Sequence, residues 1–120
     1  MTDEAPLERE LFHVALPGDW EAAREDGRYT ASTRGRTLEE EGYIHCSFAE
    51  QVAATVTRFY ADVDAVVLLR IDPHRLSSPV VVEDLVGAGE PFPHVYGPIA
   101  LDAVIDATPV DPAAMRNGGA

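Results

Sequence analysis

Short apolar runs bounded by turn residues predict strands in five places along the chain. They cover residues 11–16, 43–47, 65–71, 80–86 and 94–105, and the last is broken or bent near Gly97 and Pro98. The run at 65–71 is apolar at nearly every position, which is typical of a strand buried on both faces. Because the last three runs follow one another without a helix, the pattern favours an α+β fold over a doubly wound parallel sheet.

End signals and apolar spacing predict the helices. Asp19 is a candidate N-cap for a short helix that Gly27 ends. Thr37 opens a capping box for about one turn, and the polar residues 28–36 before it are predicted to form a loop. Ser47 begins a second capping box, which predicts a helix over residues 48–60. One face of that helix is apolar at i, i+4, i+7 and i+8, namely Val52, Val56, Phe59 and Tyr60.

No repeat or linker divides the 120 residues, so the sequence predicts a single globular domain over residues 9–108. Residues 1–8 are acidic and polar, and we expect them to be a flexible N-terminus. Residues 109–120 lack periodicity, carry two prolines and end in a glycine pair, and we expect a flexible C-terminal tail.

The charge composition narrows the classes of partner. All nine basic residues are arginine, so Schiff-base chemistry and a Walker-type phosphate loop are excluded. Against 21 acidic residues they give a net charge of -12, which argues against binding to nucleic-acid backbones or to anionic membranes. A small-molecule ligand held by a few local arginines is compatible with this charge. With no apolar segment typical of a signal peptide, we expect a cytoplasmic protein of unknown oligomeric state.

Three of the four histidines lie in or beside predicted strands, whereas His74 lies in a polar turn typical of a solvated imidazole. His13, His45 and His94 are each either hydrogen-bonded core residues or members of a shared cleft, because a buried imidazole requires partners. No paired ligand spacing accompanies them, so we expect no metal site. Cys46 is the only cysteine, and it is interpreted as a packed apolar residue rather than a nucleophile.

The segment around His45 carries the densest set of polar candidates. Strand alternation places Tyr43, His45 and Ser47 on one face, and Ile44 and Cys46 on the other. Ser47 is a helix cap in the simplest interpretation, although a helix N-terminus there also suits an anionic oxygen. Gln51, one turn into that helix, is a further candidate for the same place.

Two more candidates lie late in the chain. Period two places His94 and Tyr96 on one face of a proline-stiffened segment, where binding and structural roles are equally compatible. Glu83, flanked by valines, is expected to be semi-buried, with a raised pKa or an arginine partner such as Arg70. An ion pair is its simplest role, and catalysis is the alternative.

Together these motifs resemble a known bacterial family. The chain has F-H-V with a tryptophan seven residues after the histidine, a Tyr29–Ser32 loop, E-G-Y-I-H-C-S with a following Gln51, a valine-rich strand holding Glu83, and F-P-H-V-Y-G-P. This pattern, over about residues 10–106, resembles the family called domain of unknown function 952. That family is in turn similar to a compact member of the ADP-ribosyltransferase-like superfamily, which includes RNA 2'-phosphotransferases.

The resemblance implies a fold of two small, mostly antiparallel sheets forming a cleft, with two to three short helices. It also implies NAD or a related nucleotide as substrate, with His13 at the nucleotide and Tyr43, His45 and Ser47 near the nicotinamide ribose. His94 falls where the superfamily usually places a glutamate. Neither Glu83 nor Glu90 lies in the pattern of arginine-directed transferases, which argues against transfer to protein.

Two hypotheses follow from the residues and the resemblance. In the first, the protein is an enzyme of ADP-ribosyl-transfer-like or phosphotransfer-like chemistry that acts at the ribose. Its predicted catalytic residues are Glu83, His45 and His94, and its predicted ligand-binding residues are His13, Tyr29, Ser32, Tyr43, Ser47, Gln51 and Tyr96. Arg28 or Arg34 would meet the pyrophosphate. In the second, the protein is a non-catalytic binding or regulatory module that retains the cleft.

Overall fold

The computed structural model describes residues 9–85, 87 and 89–118, so the predicted flexible N-terminus at residues 1–8 lies outside the described residues. The strands are β1 Leu11–Ala15, β2 Arg28–Tyr29, β3 Ala31–Thr33, β4 Arg36–Thr37, β5 Ile44–His45, β6 Val66–Ile71, β7 Val80–Glu83, β8 Phe92–Val95, β9 Ile99–Ala100 and β10 Val104–Val110. The helices are α1 Pro17–Asp26, α2 Leu38–Glu41, α3 Val52–Tyr60 and α4 Pro112–Gly118. Single 3₁₀ turns form at Ala49–Gln51, Pro73–Arg75 and Leu101–Ala103.

The strands form small antiparallel sheets, as an α+β architecture requires. Two sheets have three strands, in the orders β1-β6-β10 and β5-β8-β7, and two are pairs, β2-β9 and β3-β4. The α+β class is therefore confirmed. The described residues hold four α-helices, one more than the upper limit of the prediction.

The central strand β6 separates two apolar clusters because its side chains alternate between the faces of the sheet. Val66 packs with α3 residues Val56 and Tyr60 on one face. Leu69 and Ile71 pack on the other face, where Tyr29 and other large side chains complete the main cluster. Burial on both faces is what the apolar run at 65–71 predicts.

Helix α3 follows the predicted stripe except at one position. Val52, Val56 and Tyr60 are buried, whereas Phe59 is 46% exposed. The predicted cap at Ser47 is wrong. A 3₁₀ turn capped by Phe48 precedes α3, and the Phe48 main-chain N–H donates to the side-chain oxygen of Gln51 over 2.9 Å. Likewise Asp19 is not the cap of α1, because the helix begins at Pro17. Proline suits the first position of a helix, since an N–H there would have no partner within the helix.

Two segments predicted to be irregular are ordered. Within residues 28–36, predicted to form a polar loop, the short strands β2 and β3 form and β4 begins, and Tyr29 and Ser32 are buried there. The globular fold also continues past residue 108, because β10 pairs with β6 as far as Val110 and α4 follows directly. The edge position of β10 tolerates Pro109, which has no N–H to donate to a neighbouring strand.

Candidate functional site

A cleft of about 360 Å³ opens beside the sheet β5-β8-β7, a size within the usual range for small-molecule sites. Its walls combine imidazole, hydroxyl, aromatic and guanidinium groups. The lining residues are His13, Val14, Ser32, Thr33, Arg34, Glu41, Tyr43, His45, Ser47, Ala54, Thr55, Arg58, Phe59, Tyr60, Glu90 and Phe92.

Strand register brings the second and fourth histidines of the chain together. His45 of β5 lies directly opposite His94 of β8, and their rings approach with 3.2 Å between His45 Nδ1 and His94 Nε2. On the other side of β8, Val81 is opposite His94, so Glu83 is the diagonal neighbour of His94 on the same face. The Glu83 carboxylate lies 3.0 Å from His94 Nδ1 and also accepts a hydrogen bond from the Tyr96 hydroxyl.

These contacts fix the proton positions when the imidazoles are neutral. Hydrogen bonds from Tyr96 and His94 hold the pKa of Glu83 below its usual range, so its ionised carboxylate only accepts and His94 Nδ1 donates. His94 Nε2 then accepts from His45 Nδ1, which leaves His45 Nε2 with a lone pair. Among the described residues, His45 Nε2 is the buried side-chain nitrogen or oxygen without a hydrogen-bond partner.

Burial keeps His45 neutral. Desolvation lowers the pKa of its imidazole to about 4, and the His94 and His13 rings contribute in the same direction. The Nε2 atom is therefore unprotonated at neutral pH, although it is buried beneath the surface of the cleft. A chain of hydrogen bonds thus runs from Tyr96 and Glu83 through His94 to an unpaired acceptor on a residue that lines the cleft.

A second chain holds the backbone at the same place. His13 is 3% exposed, and its Nδ1 donates to the main-chain carbonyl of His45 over 2.7 Å. Its Nε2 accepts from the Tyr29 hydroxyl over 2.9 Å. Both ring nitrogens of His13 are thus used within the protein, so its edge offers no hydrogen bond to a ligand.

Aromatic and hydroxyl contacts complete the walls. The Tyr43 ring stacks on His94 with 4.2 Å between ring centroids, and the Ser32 hydroxyl donates to the Tyr43 carbonyl. The hydroxyls of Ser47 and Thr55 lie 3.0 Å apart and are both buried.

The structure gathers the predicted residues in two groups. Five of them line the cleft, namely His13, Ser32, Tyr43, His45 and Ser47. The other five, Tyr29, Gln51, Glu83, His94 and Tyr96, lie outside the lining. Of these, Gln51 donates to the Glu90 carboxylate and the Pro91 carbonyl, each over 2.9 Å.

The expectation for the pKa and the partner of Glu83 is wrong. The pKa of Glu83 is lowered rather than raised, and its partners are His94 and Tyr96. Arg70 instead forms ion pairs with Glu10, which directly precedes β1, and with Asp106 of β10. Arg28 lies away from the cleft, beside α1, whereas Arg34 lines the cleft and donates to Asp62 and to the Phe59 carbonyl.

Cys46 is a packed apolar residue, as expected: it is fully buried, and burial raises the pKa of its thiol. Sequence reasoning missed Thr55, Arg58 and Phe92. The signal for Thr55 was a polar residue between Val52 and Val56 in the buried stripe of α3. Among residues 9–85, 87 and 89–118, no three His, Cys, Asp or Glu side chains are grouped in a way that would hold a metal ion.

The fold and the cleft define a small α+β domain with a histidine-lined cleft. The family model described as Protein of unknown function (DUF952) matches residues 14–107, and the chain belongs to this family. No curated protein matches the chain. Within the described part of the chain, none of the helices has the length and apolar character needed to span a membrane.

Solved structures of one protein, CC0527 from Caulobacter crescentus, share the fold. Its crystal structure is 26% identical to this chain with a TM-score of 0.73, and the match covers 85% of this chain and 86% of that one. A crystal structure of its double mutant gives 25% identity and the same TM-score, with the same coverage. Its solution NMR structure gives 26% identity and a TM-score of 0.70, with 85% of this chain and 84% of that one covered.

Proposed function

We propose that the protein is a small-molecule enzyme in which His45 acts as general base on a hydroxyl group held in the cleft. The observation that carries the proposal is the unpaired Nε2 of His45 at the end of the chain formed by Glu83 and His94. A histidine oriented through Nδ1 by a hydrogen-bond partner is the usual arrangement of a general base.

The imidazole of His45 is a weak base, and the hydrogen-bond chain stabilises its protonated form. When His45 Nε2 takes a proton, its Nδ1–H bond to His94 strengthens, and the Glu83 carboxylate stabilises the positive charge through His94. Glu83 and His94 thereby act as positioning residues. His45 is the catalytic residue, and the acceptor hydroxyl must reach its buried Nε2 from the cleft. General-base catalysis of this kind typically contributes about 10²–10⁴-fold to the rate.

We propose a nucleotide, NAD or a related compound, as the substrate, with the reaction at its ribose. The acceptor hydroxyl would form a bond to the ribose C1' while the C1'–N bond to the leaving base, nicotinamide in NAD, breaks. The electron pair of the C1'–N bond would leave with that base. The proton of the acceptor hydroxyl would pass to His45. Tyr43 and Phe92 provide aromatic surface for the base. We further propose an ADP-ribosyltransferase-like fold, because small antiparallel sheets surround the cleft. A cytoplasmic location is also proposed.

A non-catalytic binding module is the second candidate, and the low pKa of His45 favours it. An imidazole that stays neutral at pH 7 serves as a hydrogen-bond acceptor for a ligand O–H or N–H without taking a proton.

The experiment separates these candidates by measuring binding and turnover together. Thermal shifts are recorded with NAD, NADP and ADP-ribose, and nicotinamide release from NAD is followed by chromatography. We expect a ligand-induced rise in Tm, and release that falls about 100-fold or more in His45→Asn but not in His74→Gln. Binding without release identifies the module, and the absence of any thermal shift overturns the nucleotide proposal.

A further inference from the structure

Part of the cleft wall is a buried hydroxyl pair with a proton to spare. Ser47 and Thr55 are 1% and 6% exposed, and Ser47 Oγ lies 3.0 Å from Thr55 Oγ1. Two hydroxyls carry two protons, and the bond between them uses one. Among the described residues neither hydroxyl has another hydrogen-bond acceptor, so the second proton is free to be donated to a ligand in the cleft.

The exposed side chain of Arg58 also lines the cleft. It follows Thr55 by three positions on α3, so the two side chains are neighbours on one helix face, and both line the cleft. The other lining arginine, Arg34, is neutralised by Asp62. Within the described part of the chain, Arg58 has no carboxylate partner, and its guanidinium lies over the Phe59 ring at 5.2 Å from the centroid.

The two acidic residues of the lining, Glu41 and Glu90, have partners within the protein. Glu41 forms an ion pair with Arg36 over 3.1 Å, and the Glu90 carboxylate accepts from the Gln51 amide. The cleft therefore combines one free guanidinium with a buried hydroxyl donor, in a protein whose net charge of -12 otherwise repels anions.

We infer that Ser47, Thr55 and Arg58 form a phosphate subsite, so that the ligand of the cleft is a phosphorylated compound. A guanidinium and hydroxyl donors are the groups that bind phosphate oxygens through charge-assisted hydrogen bonds. The inference rests on the proposed function only in placing this subsite in the same cleft as His45.

The test compares two probes that differ by one phosphate. Adenosine and adenosine 5'-monophosphate are titrated calorimetrically into wild type, Arg58→Gln, Thr55→Val and Thr55→Ser. Arg24→Gln is the matched control, because it removes the same charge from an exposed site on α1. We expect the monophosphate to bind wild type at least about tenfold more tightly than adenosine, because its phosphate accepts charge-assisted hydrogen bonds from the guanidinium and hydroxyl donors.

That preference should disappear in Arg58→Gln, weaken in Thr55→Val and persist in Thr55→Ser and Arg24→Gln. Equal affinity of wild type for both probes overturns the subsite, as does an equal loss in Arg58→Gln and Arg24→Gln. If neither probe binds, titration with inorganic phosphate decides: saturable binding that Arg58→Gln abolishes supports the subsite, and no binding overturns it.

The proposed function fails independently of this result. If wild type prefers the monophosphate but releases no nicotinamide, the phosphate subsite is supported and the enzymatic function is overturned. If nicotinamide release is lost in His45→Asn and unchanged in Arg58→Gln, and wild type does not prefer the monophosphate, the enzymatic function is supported and the subsite is overturned.

Discussion

His13 holds the backbone of His45: its Nδ1 donates to the His45 carbonyl over 2.7 Å, while the ring itself is 3% exposed. The ring of His45 is held separately, by His94 through Nδ1. Two independent hydrogen-bond chains thus end on one residue of a two-residue strand. A short strand supplies little rigidity of its own, so these chains determine where the unpaired Nε2 lies.

Tyr29→Phe tests the first chain. The substitution keeps the buried ring but removes the hydroxyl that donates to His13 Nε2, which leaves a buried acceptor unpaired. We expect the free energy of unfolding to fall by about 1–3 kcal/mol. Urea denaturation measures it, with Tyr96→Phe at a more exposed site as control. Equal, small losses in both variants would contradict the assigned hydrogen bond.

Stability should depend on pH through His13. Burial lowers the pKa of its imidazole to about 4 in the folded protein, against about 6.5 in the unfolded chain. Between these values the unfolded state binds more protons, so the free energy of unfolding decreases as the pH falls from 6.5 to 4. Above pH 6.5 the free energy of unfolding is therefore about 3 kcal/mol higher than below pH 4, as far as His13 is concerned.

Urea denaturation at several pH values checks this dependence. His13→Gln should give a shallower decrease than wild type, whereas His74→Gln, in an exposed turn, should reproduce the wild-type slope. His45, whose pKa is also lowered to about 4, keeps its part of the pH dependence in His13→Gln, so an unchanged slope in that variant would show that His13 contributes nothing.

Much of this site follows from local sequence pattern. Alternation places Tyr43, His45 and Ser47 on one face, and all three line the cleft, with Ile44 and Cys46 fully buried. The apolar stripe of α3 and the doubly buried β6 are strong local signals of the same kind. Where the spacing of apolar residues matches the period of a helix or a strand, the sequence alone is sufficient to predict that element and its buried face.

The remaining contacts depend on register between strands, which local pattern does not contain. Glu83 meets His94 because Val81 is paired with His94, and Arg70 meets Asp106 because β10 is paired with β6. The strands at 28–37 have two or three residues each, too few to display a period. Tertiary pairing alone determines them, as it determines β10 beyond residue 108.

The tautomers of the histidine chain give a spectroscopic prediction. In wild type at neutral pH, ¹⁵N NMR should find His45 protonated at Nδ1 and unprotonated at Nε2, and His94 protonated at Nδ1. Glu83→Ala removes the acceptor that orients His94, so we expect both imidazoles to become mixtures of tautomers. Asp62→Ala, which breaks only an exposed ion pair, should leave the spectrum unchanged. A proton on His45 Nε2 in wild type would contradict the assignment of this nitrogen as the free base.

The turn after β8 depends on a close approach that only glycine permits. A Cβ at Gly97 would lie 2.8 Å from Ser78 Cβ and would also clash with the Ser78 hydroxyl, which donates to the Pro98 carbonyl over 2.8 Å. Gly97→Ala should therefore lower the free energy of unfolding by about 1–3 kcal/mol through overpacking.

The double variant decides whether Ser78 causes that loss. Ser78→Gly removes the atoms that the new methyl group would meet, although it also removes the hydrogen bond to Pro98. We therefore expect Gly97→Ala to cost less in the Ser78→Gly background than in wild type, with a coupling of about 0.5–3 kcal/mol typical of residues in contact. Urea denaturation of the four proteins measures this coupling. Additive losses would place the strain elsewhere in the turn.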